Sequence, residues 1–300
     1  MKVEFALKEF QRERYLKIYG KEFFEFLKLP PQSIRVNTLK ISVEEFKKKM
    51  ERRGWKFKAI EWYEEGFYVE ARENISKTIE HQIGYFFVQN VSSMIPPLVL
   101  EPKKDEIILD LCAAPGAKTT QIAQLMENSG LIIANDVKIK RLRALRGNLQ
   151  RLGVINTVVT LMDGGKFWKT GLKFKKILLD VPCSGSGNLN PRIFQQIGKY
   201  TMNYLTRIQK RLLISAFKCL EEDGILVYST CSLEPEENEE IIDFAVKKLG
   251  LSVEEIKIKG LECMEGLKSW NGKVFSEEVR KAIRVIPRDK EGFFVCKLRK

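Results

Sequence analysis

From residue 105 onward, short apolar runs alternate with longer segments that have helical periodicity. The apolar runs are IILDL (107–111), LIIAN (131–135), TVVTL (157–161), ILLDV (177–181) and ILVYS (225–229). Each run is almost continuously apolar, which is typical of strands covered on both faces. Strands that alternate with helices in this way form a doubly wound parallel sheet. The pattern therefore predicts an α/β fold whose ligands bind at the carboxyl ends of the strands.

Two further segments complete this sheet. KRLRALRGNLQRL (140–152) carries one leucine stripe and places its arginines on the other face, as expected of a helix packed on a sheet. FFVCKL (293–298) is a late apolar run that we expect to close the sheet as an antiparallel strand.

The first 80 residues have a different pattern. SIRVNTLK is extended in character, and SVEEFKKKMERRG follows as a helix with Ser42 at its N-cap, Glu45 three residues later and Gly54 as a stop signal. WKFKAIEW and GFYVEA then have the composition of strands. We predict a small α+β module over residues 1–80 and the parallel-sheet domain over residues 81–300.

The charge distribution favours a polyanionic partner. The formal net charge is +13 and the sequence pI is near 9.3. Residues 137–176 contain 11 Lys and Arg against one acidic residue. Such a block favours nucleic acid as the partner. The alternative interpretation is a solvated Lys/Glu surface of the kind found in heat-loving organisms.

The cysteine and apolar content excludes several classes of protein. Six cysteines include no CxxC pair, and the sequence contains a single histidine, so we expect neither a zinc site nor another metal site. No apolar run is long enough to cross a membrane, and MKVEFALKEF lacks the apolar core of a secretion signal. We expect a cytoplasmic protein without a disulfide framework, and a monomer.

The first strand of the sheet leads into a turn of small residues, DLCAAPGAKTTQIAQLM. Such residues let the backbone approach a ligand closely, but the turn matches neither the dinucleotide fingerprint nor a P-loop. The next strand ends at Asp136, where a carboxylate can accept hydrogen bonds from ribose hydroxyls. A nucleoside without phosphates fits this pattern, and S-adenosylmethionine is the common one, with Asp163 on the adenine side. Each acid taken alone is equally well explained as a cap of a strand end.

Two cysteines follow neighbouring strands, Cys183 in DVPCSGSG and Cys231 in STCS. Methylation of a pyrimidine at carbon 5 requires a thiolate that adds to carbon 6, and a helper for the later elimination. It also requires a group that stabilises charge at N3 and the exocyclic amine, and Asp180 at its strand end suits that task. Methylation of an exocyclic amine is the alternative, but Val181-Pro182-Cys183 lacks the aromatic residue of such sites.

CAAPGAKT, DVPCSGSG and STCS with the following LEPEENE closely resemble the Fmu/Sun-type RNA (cytosine-5) methyltransferases. RVNTLK (35–40), GYFFVQNVSSM (84–94) and GFFVCKL (292–298) extend the resemblance over nearly the whole chain. It implies a Rossmann-like, S-adenosylmethionine-dependent catalytic domain with an N-terminal module that is similar to part of an RNA-recognition fold. The compact chain resembles the small tRNA-directed members of this family, in particular those of archaeal and thermophilic organisms.

The resemblance also implies site residues. Asp180 would hold the target base, Cys231 would be the nucleophile and Cys183 would assist product release. Asp136 would bind the ribose with Arg141 nearby, and Asp163 would lie on the adenine side. The cofactor would be lined, mostly by backbone, by Cys112, Ala113, Ala114, Pro115, Gly116, Ala117 and Lys118.

This chain departs from the family pattern at two positions. Ala117 replaces a second glycine, which is tolerable if its φ angle is negative, and Arg288 stands where members often carry histidine. The predicted substrate is RNA, with tRNA favoured over ribosomal RNA, docked by aromatic residues and arginines of the first 80 positions. A non-catalytic RNA-binding or assembly protein that retains the fold is the alternative from another class.

Overall fold

The protein is described by a computed structural model that covers residues 7–25, 27–288 and 290–300. Residues 1–6, which belong to the predicted N-terminal module, lie outside the described residues. The helices found in the described ranges are α1 Glu9–Tyr19, α2 Val43–Glu51, α3 Ile79–Gln82, α4 Ile95–Leu100, α5 Ala117–Leu125, α6 Ile139–Leu152, α7 Pro191–Gln196, α8 Lys199–Cys219 and α9 Glu239–Leu249.

Strands in the same ranges form a four-stranded sheet, a nine-stranded sheet and a two-stranded ribbon. They are β1 Ser33–Val36, β2 Lys56–Ile60, β3 Tyr63–Glu70, β4 Phe86–Val88, β5 Ile107–Asp110, β6 Leu131–Asp136, β7 Thr157–Leu161, β8 Phe174–Asp180, β9 Leu220–Thr230, β10 Ser252–Glu254, β11 Cys263–Glu265, β12 Ser269–Trp270, β13 Lys273–Val274, β14 Ile283–Val285 and β15 Phe293–Arg299.

The larger sheet has the strand order β11-β14-β15-β9-β8-β5-β6-β7, and β10 pairs with β15. Its five predicted strands, β5 to β9, are mutually parallel, and β15 runs antiparallel to β9 as expected. The predicted Rossmann-like α/β fold is therefore confirmed. The order reverses at β5, where the chain moves first to β6 and β7 and then to β8 and β9, and ligands of such sheets bind at this switch point.

One expectation about the strands is wrong. The sequence of β7 is as apolar as that of its neighbours, but β7 is the edge strand of the sheet. Val158 is 51% exposed and Leu161 is 55% exposed. A run of apolar residues predicts a strand, but it does not say whether a second strand and a second layer will cover it.

The four-stranded sheet has the order β2-β3-β1-β4 and is antiparallel throughout. Helix α2 begins as predicted, because Ser42 accepts a hydrogen bond from the Glu45 backbone and Glu45 reaches back in a capping box. Its buried Phe46 and Met50 pack on the sheet beside Trp55. The α+β character of the N-terminal region is confirmed. The division of the chain at residue 80 stays a prediction, and β4 lies beyond it in sequence.

The N-terminal region is docked on the larger sheet at two places. The side-chain amide of Asn37 donates to the carbonyl oxygens of Gly84 and Leu152, each at 2.8 Å, and so joins β1 to the end of α6. At the other end of the region, Tyr15 of α1 donates to Glu234 at 2.6 Å and is fully buried in the main core. Helix α1 therefore packs into the main core, whereas the four-stranded sheet keeps an apolar core of its own.

Candidate active site

Four neighbouring strands of the large sheet bring their carboxyl ends together. The register pairs Asp110 of β5 with Ala134 and Leu178, and Asp180 of β8 with Ser229 of β9. The turn after β5, the acid of β6 and the loops that carry the cysteines therefore meet at one edge. Asp110 is buried at this edge, accepts a hydrogen bond from Thr119 at 2.7 Å, and has its pKa raised by burial to about 7.

The turn between β5 and α5 lets the backbone pass close to its neighbours. Gly116 has a φ of +105°, and a Cβ atom there would lie 2.8 Å from Cδ1 of Leu145. Ala117 is the first residue of α5 and is absent from the positive-φ residues of the described chain, so its methyl group is accommodated. The turn from Cys112 to Gly116, which is largely buried, lies against the carboxyl end of β6, since the Ala113 amide donates to the Asn135 carbonyl at 2.8 Å.

The Cys112 thiol belongs to this turn and differs from the other two cysteines of the site. Burial is the main cause that raises its pKa, and the neighbouring carboxylate of Asp110 raises it further. A thiol in this environment stays protonated and is a poor nucleophile. Cys112 therefore has the properties of a lining residue.

Asp136 ends β6 and is only 2% exposed. Its Oδ1 atom accepts a hydrogen bond from the Lys138 backbone at 3.0 Å. Its Oδ2 atom lies 3.1 Å from Nη1 of Arg141 but, among the described residues, has no hydrogen-bond partner of good geometry. Arg141 also donates to the carbonyl oxygen of Ala114 in the small-residue turn. The Oδ2 atom of Asp136 is thus held beside the small-residue turn and can still accept a hydrogen bond from a ligand.

Asp163 lies at the end of the next strand and caps the short 3-10 helix that follows it. Its Oδ1 atom accepts from the Gly165 backbone at 3.0 Å and from Nη2 of Arg211 at 3.1 Å. The first bond is a cap, as in the alternative interpretation. The second bond joins the loop after β7 to α8. Asp163 therefore has a structural role as a cap and also lies at the same edge of the large sheet as Asp136.

Cys183 and Cys231 are side by side. Their Sγ atoms are 3.0 Å apart, and both are free thiols that are partly accessible. The sequence separates them by 48 residues, and the parallel pairing of β8 with β9 brings them together. This contact is the geometry that a two-thiol mechanism requires.

The two sulfur atoms have different environments. A hydrogen bond from the Cys183 thiol lowers the pKa of Cys231, and the Lys118 ammonium and an amide N–H of Asn188 act in the same direction. The bond with Cys231, burial and the charge of Glu237 all raise the pKa of Cys183. Cys231 is therefore the better thiolate of the pair, and Cys183 is the one that keeps its proton.

Asp180 is held between two donors beside this pair. Ser229 Oγ donates to its Oδ1 atom at 2.7 Å, and Lys118 Nζ donates to its Oδ2 atom at 2.7 Å. Lys118 also donates to Ser93 at 3.0 Å and lies over the ring of Phe293. The predicted cofactor residue Lys118 thus extends from the turn across to the carboxylate, and joins the two halves of the site.

A buried glutamate that the motif analysis did not single out holds the two cysteine loops together. Glu237 accepts from the Ser184 backbone at 3.0 Å, from Ser232 Oγ and from Gln209 at 2.9 Å. Gln209 also donates to the carbonyl oxygen of Pro182 at 3.0 Å. Glu237 lies in LEPEENE, which the sequence marked only as a family signature, and its bonds explain why an acid follows STCS at this distance.

Comparisons with known proteins agree with this architecture. Residues 97–299 match the family model described as 16S rRNA methyltransferase RsmB/F, and residues 8–91 match the model of the N-terminal domain of 16S rRNA methyltransferase RsmF.

Two relatives illustrate the range of similar sequences. A tRNA (cytosine(49)-C(5))-methyltransferase of Pyrococcus abyssi is 44% identical over 298 residues, which cover 96% of this chain and 94% of the relative. Ribosomal RNA small subunit methyltransferase F of Psychromonas ingrahamii is 39% identical over 282 residues, which cover 90% of this chain. This chain spans only 57% of that bacterial relative.

Solved structures agree as well. A methyltransferase homolog protein from Pyrococcus horikoshii superposes with a TM-score of 0.89 at 38% identity and covers 99% of this chain and 96% of its own length. NSun6 from the same organism, solved with the S-adenosylmethionine analogue SFG, gives a TM-score of 0.86 at 30% identity, with 99% of both chains covered. The family predicted from the three motifs is confirmed, and the chain belongs to the RsmB/F family of RNA methyltransferases.

Proposed function

We propose that this protein transfers a methyl group from S-adenosylmethionine to carbon 5 of cytosine in RNA, with tRNA as the substrate. The observation that carries the proposal is the contact of two free thiols, Cys183 and Cys231, at 3.0 Å beside the carboxylate of Asp180. An enzyme that methylates an exocyclic amine has no use for a pair of thiols, so the contact favours carbon 5.

The roles of the residues follow from the chemistry of the pyrimidine ring. The Cys231 thiolate adds to carbon 6, and the electron pair moves to carbon 5, which becomes nucleophilic. Asp180 accepts a hydrogen bond from the exocyclic amine and so orients the base against the thiols, while a proton from water neutralises the negative charge that develops at N3. After methyl transfer a water molecule takes the proton from carbon 5, the double bond forms again, and the bond between carbon 6 and sulfur breaks with its electron pair returning to Cys231, whose thiolate accepts a hydrogen bond from the Cys183 thiol. Cys183 assists this last step from its position against Cys231.

The residues around the turn fit S-adenosylmethionine. When bound, this cofactor supplies an electrophilic methyl group. The Oδ2 atom of Asp136 is buried and has no hydrogen-bond partner of good geometry among the described residues, which suits a ribose hydroxyl. The small-residue turn from Cys112 to Gly116 gives backbone access, and Asp163 is available on the adenine side. Arg141 orients Asp136 and the turn together.

Support for tRNA comes from the extent of similarity. The Pyrococcus tRNA methyltransferase matches this chain over 94% of its own length, whereas the Psychromonas ribosomal RNA methyltransferase matches over 57%. Ribosomal RNA stays the second candidate because the matching family model is named for it. A cytoplasmic location and a monomeric state are part of the proposal.

The covalent intermediate provides the test. RNA that contains 5-fluorocytosine is incubated with the protein and S-adenosylmethionine, and denaturing electrophoresis detects the trapped complex. We expect a complex with the wild type and with Cys183→Ser, and none with Cys231→Ser. With ordinary cytosine, Cys183→Ala should accumulate the complex because release is slowed.

The opposite outcomes are equally clear. Loss of the complex in Cys183→Ser with retention in Cys231→Ser would reverse the two roles. Methylation of the exocyclic nitrogen, without any trapped covalent complex, would contradict the proposal and support methylation of the exocyclic amine instead. Binding of RNA without any methyl transfer would favour a non-catalytic protein. Bisulfite sequencing of the host's tRNA and ribosomal RNA, with and without the gene, distinguishes the two substrates.

A further inference from the structure

The loop that follows Cys183 places a side-chain amide against the sulfur of Cys231. The Nδ2 atom of Asn188 lies 3.6 Å from the Cys231 Sγ atom and donates a hydrogen bond to it. The Oδ1 atom of Asn188 accepts a hydrogen bond from Nδ2 of Asn90 at 3.4 Å. Asn188 is half-buried, whereas Asn90, which follows β4, is exposed. The two amides thus form a short chain that ends on the sulfur proposed as the nucleophile.

The backbone of this loop determines where the Asn188 side chain lies. Asn188 ends a single turn of 3-10 helix, Ser186–Asn188. Gly185 before this turn has a φ of +74° and Leu189 after it has a φ of +52°, so both lie in the left-handed region. Leucine adopts that region at a cost in free energy, and here its side chain is buried in the main core. A Cβ atom on Gly185 would lie only 3.3 Å from Nδ2 of Asn188, so the glycine leaves room for the amide.

Two further hydrogen bonds hold the turn against the loop that carries Cys231. The Gly187 amide donates to the Cys231 carbonyl at 2.9 Å. The Ser186 hydroxyl accepts from the Leu233 backbone at 2.8 Å. Because these bonds lie on both sides of Cys231 in sequence, the Asn188 side chain and the sulfur are fixed relative to each other.

The other groups that act on the Cys231 sulfur are titratable. The Cys183 thiol donates to it at 3.0 Å, the Lys118 ammonium of α5 favours its thiolate, and the Asp180 carboxylate of β8 opposes the thiolate. Each of these three groups can gain or lose a proton, whereas an asparagine amide keeps its N–H donors at every pH used for proteins. Asn188 is therefore a constant donor in a site where the other partners titrate.

We infer that Asn188 is a positioning residue whose amide holds the Cys231 sulfur and stabilises its thiolate, while Asn90 holds the amide. The inference rests on the proposed function, in which this thiolate adds to carbon 6 of cytosine. A charged thiolate accepts a stronger hydrogen bond than the neutral thioether of the adduct does. The amide therefore stabilises the sulfur before it adds, and again after the bond to carbon 6 has broken with its electron pair on sulfur.

The test measures alkylation of Cys231 by iodoacetamide over a range of pH, without RNA or methyl donor. Trypsin releases Cys231 and the buried Cys219 in one peptide, residues 219–247, and fragmentation in the mass spectrometer distinguishes the two cysteines. Asn188→Ala should move the pH midpoint upward by about one unit, because a hydrogen bond to a charged group is lost. The rate at high pH should be no lower than that of the wild type, since a more basic thiolate is the better nucleophile.

Two further variants separate the donor from its anchor. Asn188→Asp keeps the shape of the side chain but replaces the donor by a carboxylate, so its midpoint should move upward by more than that of Asn188→Ala. Asn90→Ala should give a smaller upward shift, because the donor remains and only its partner is lost.

Asn203→Ala is the matched control. Asn203 is exposed on α8, and its side chain makes no hydrogen bond within the described ranges, so the midpoint should stay at the wild-type value. Cys219 should remain unmodified in every variant, which shows that the core is intact. Wild-type midpoints in both Asn188 variants would overturn the inference. A lower rate at high pH with an unchanged midpoint would also overturn it, because Asn188 would then have only a structural role.

Failure of the proposed function gives a different result. A wild type that never methylates RNA, but whose alkylation midpoint depends on Asn188, refutes the activity and retains the action of the amide on the thiol. A wild type that methylates RNA, with a midpoint that Asn188→Ala leaves unchanged, retains the activity and refutes the inference.

Discussion

At the scale of single residues, the site depends on an unequal division of charge between two neighbouring thiols. Cys231 has the lowered pKa because Cys183 donates to it and because Lys118 is near, while Glu237 and Asp180 act against ionisation of Cys183. The same lysine pairs with Asp180. Lys118 therefore acts on both the proposed nucleophile, Cys231, and the carboxylate proposed to hold the base, which goes beyond the cofactor-lining role expected for it.

Lys118→Met tests this division. The substitution removes a positive charge and leaves Asp180 without its ammonium partner, and both changes disfavour the Cys231 thiolate. Thiolate forms as pH rises through the pKa, so the pH midpoint for alkylation of Cys231 should move upward. Mass spectrometry of the Cys231 peptide after timed iodoacetamide treatment measures it.

Lys118→Arg is the control, because it keeps the charge, and its midpoint should stay near that of the wild type. An unchanged midpoint in Lys118→Met would mean that Cys183 alone lowers the pKa of Cys231.

At the scale of elements, the two cysteine loops and the start of β15 meet through backbone contacts that admit no side chain. The Gly187 amide donates to the Cys231 carbonyl, and the Gly292 amide donates to the Gly187 carbonyl, each at 2.9 Å. A Cβ atom on Gly187 would lie 1.9 Å from the Gly292 carbonyl oxygen and 3.0 Å from that of Cys231. The position of Cys231, the proposed nucleophile, thus depends on a glycine in the neighbouring loop.

Gly187→Ala should reduce formation of the 5-fluorocytosine complex by about 100-fold, because a shift of the loop by about 1 Å displaces the reacting sulfur. Gly147→Ala is the matched control, since nothing lies within 4 Å of its Cβ position in α6. That control should leave complex formation unchanged and stabilise the protein by about 0.5–1 kcal/mol. Equal activity of the two variants would show that the loops tolerate the added carbon.

At the scale of the whole molecule, ionic contacts join the beginning of the chain to the segment that follows STCS. Arg284 of β14 is buried against Glu239 and also donates to Tyr19 of α1 at 3.0 Å. Arg14 of the same helix pairs with Glu234 at 2.8 Å. LEPEENE therefore anchors the N-terminal helix as well as the catalytic loops. No helix within the described ranges has the length and apolarity needed to span a membrane.

Arg284→Met should lower the free energy of unfolding by about 3–5 kcal/mol, because it leaves the Glu239 carboxylate buried without its partner. Adding Glu239→Gln should recover much of the loss, since the buried charge is then removed. Urea denaturation at pH 7 measures both. Arg280→Met, in an exposed ion pair with Glu265, should change stability little, and an equally large loss there would contradict the role of burial.

Much of the fold was predictable because its signals are local. The five parallel strands and the capped helix α2 were identified within one or two residues, apart from the earlier starts of β8 and β9, since apolar runs and the Ser42–Glu45 box act over a few positions. The contacts of Glu237 and Asn188 with the cysteine loops were not predicted. They join residues tens of positions apart, and no periodicity in the sequence marks such pairs.

The amino-acid sequence by itself determined which residue types are present for the proposed chemistry: the thiols, the strand-end acids and the small-residue turn are needed by type, whatever surrounds them. Only the tertiary structure decided how they are used, that Cys183 touches Cys231, that Lys118 serves Asp180 and that Glu237 holds both loops. The physical reason is that the pKa of a thiol, and with it the reactivity of that thiol as a nucleophile, depends on burial and on charges within a few ångströms. The residues that supply the burial and the charges come from distant parts of the chain.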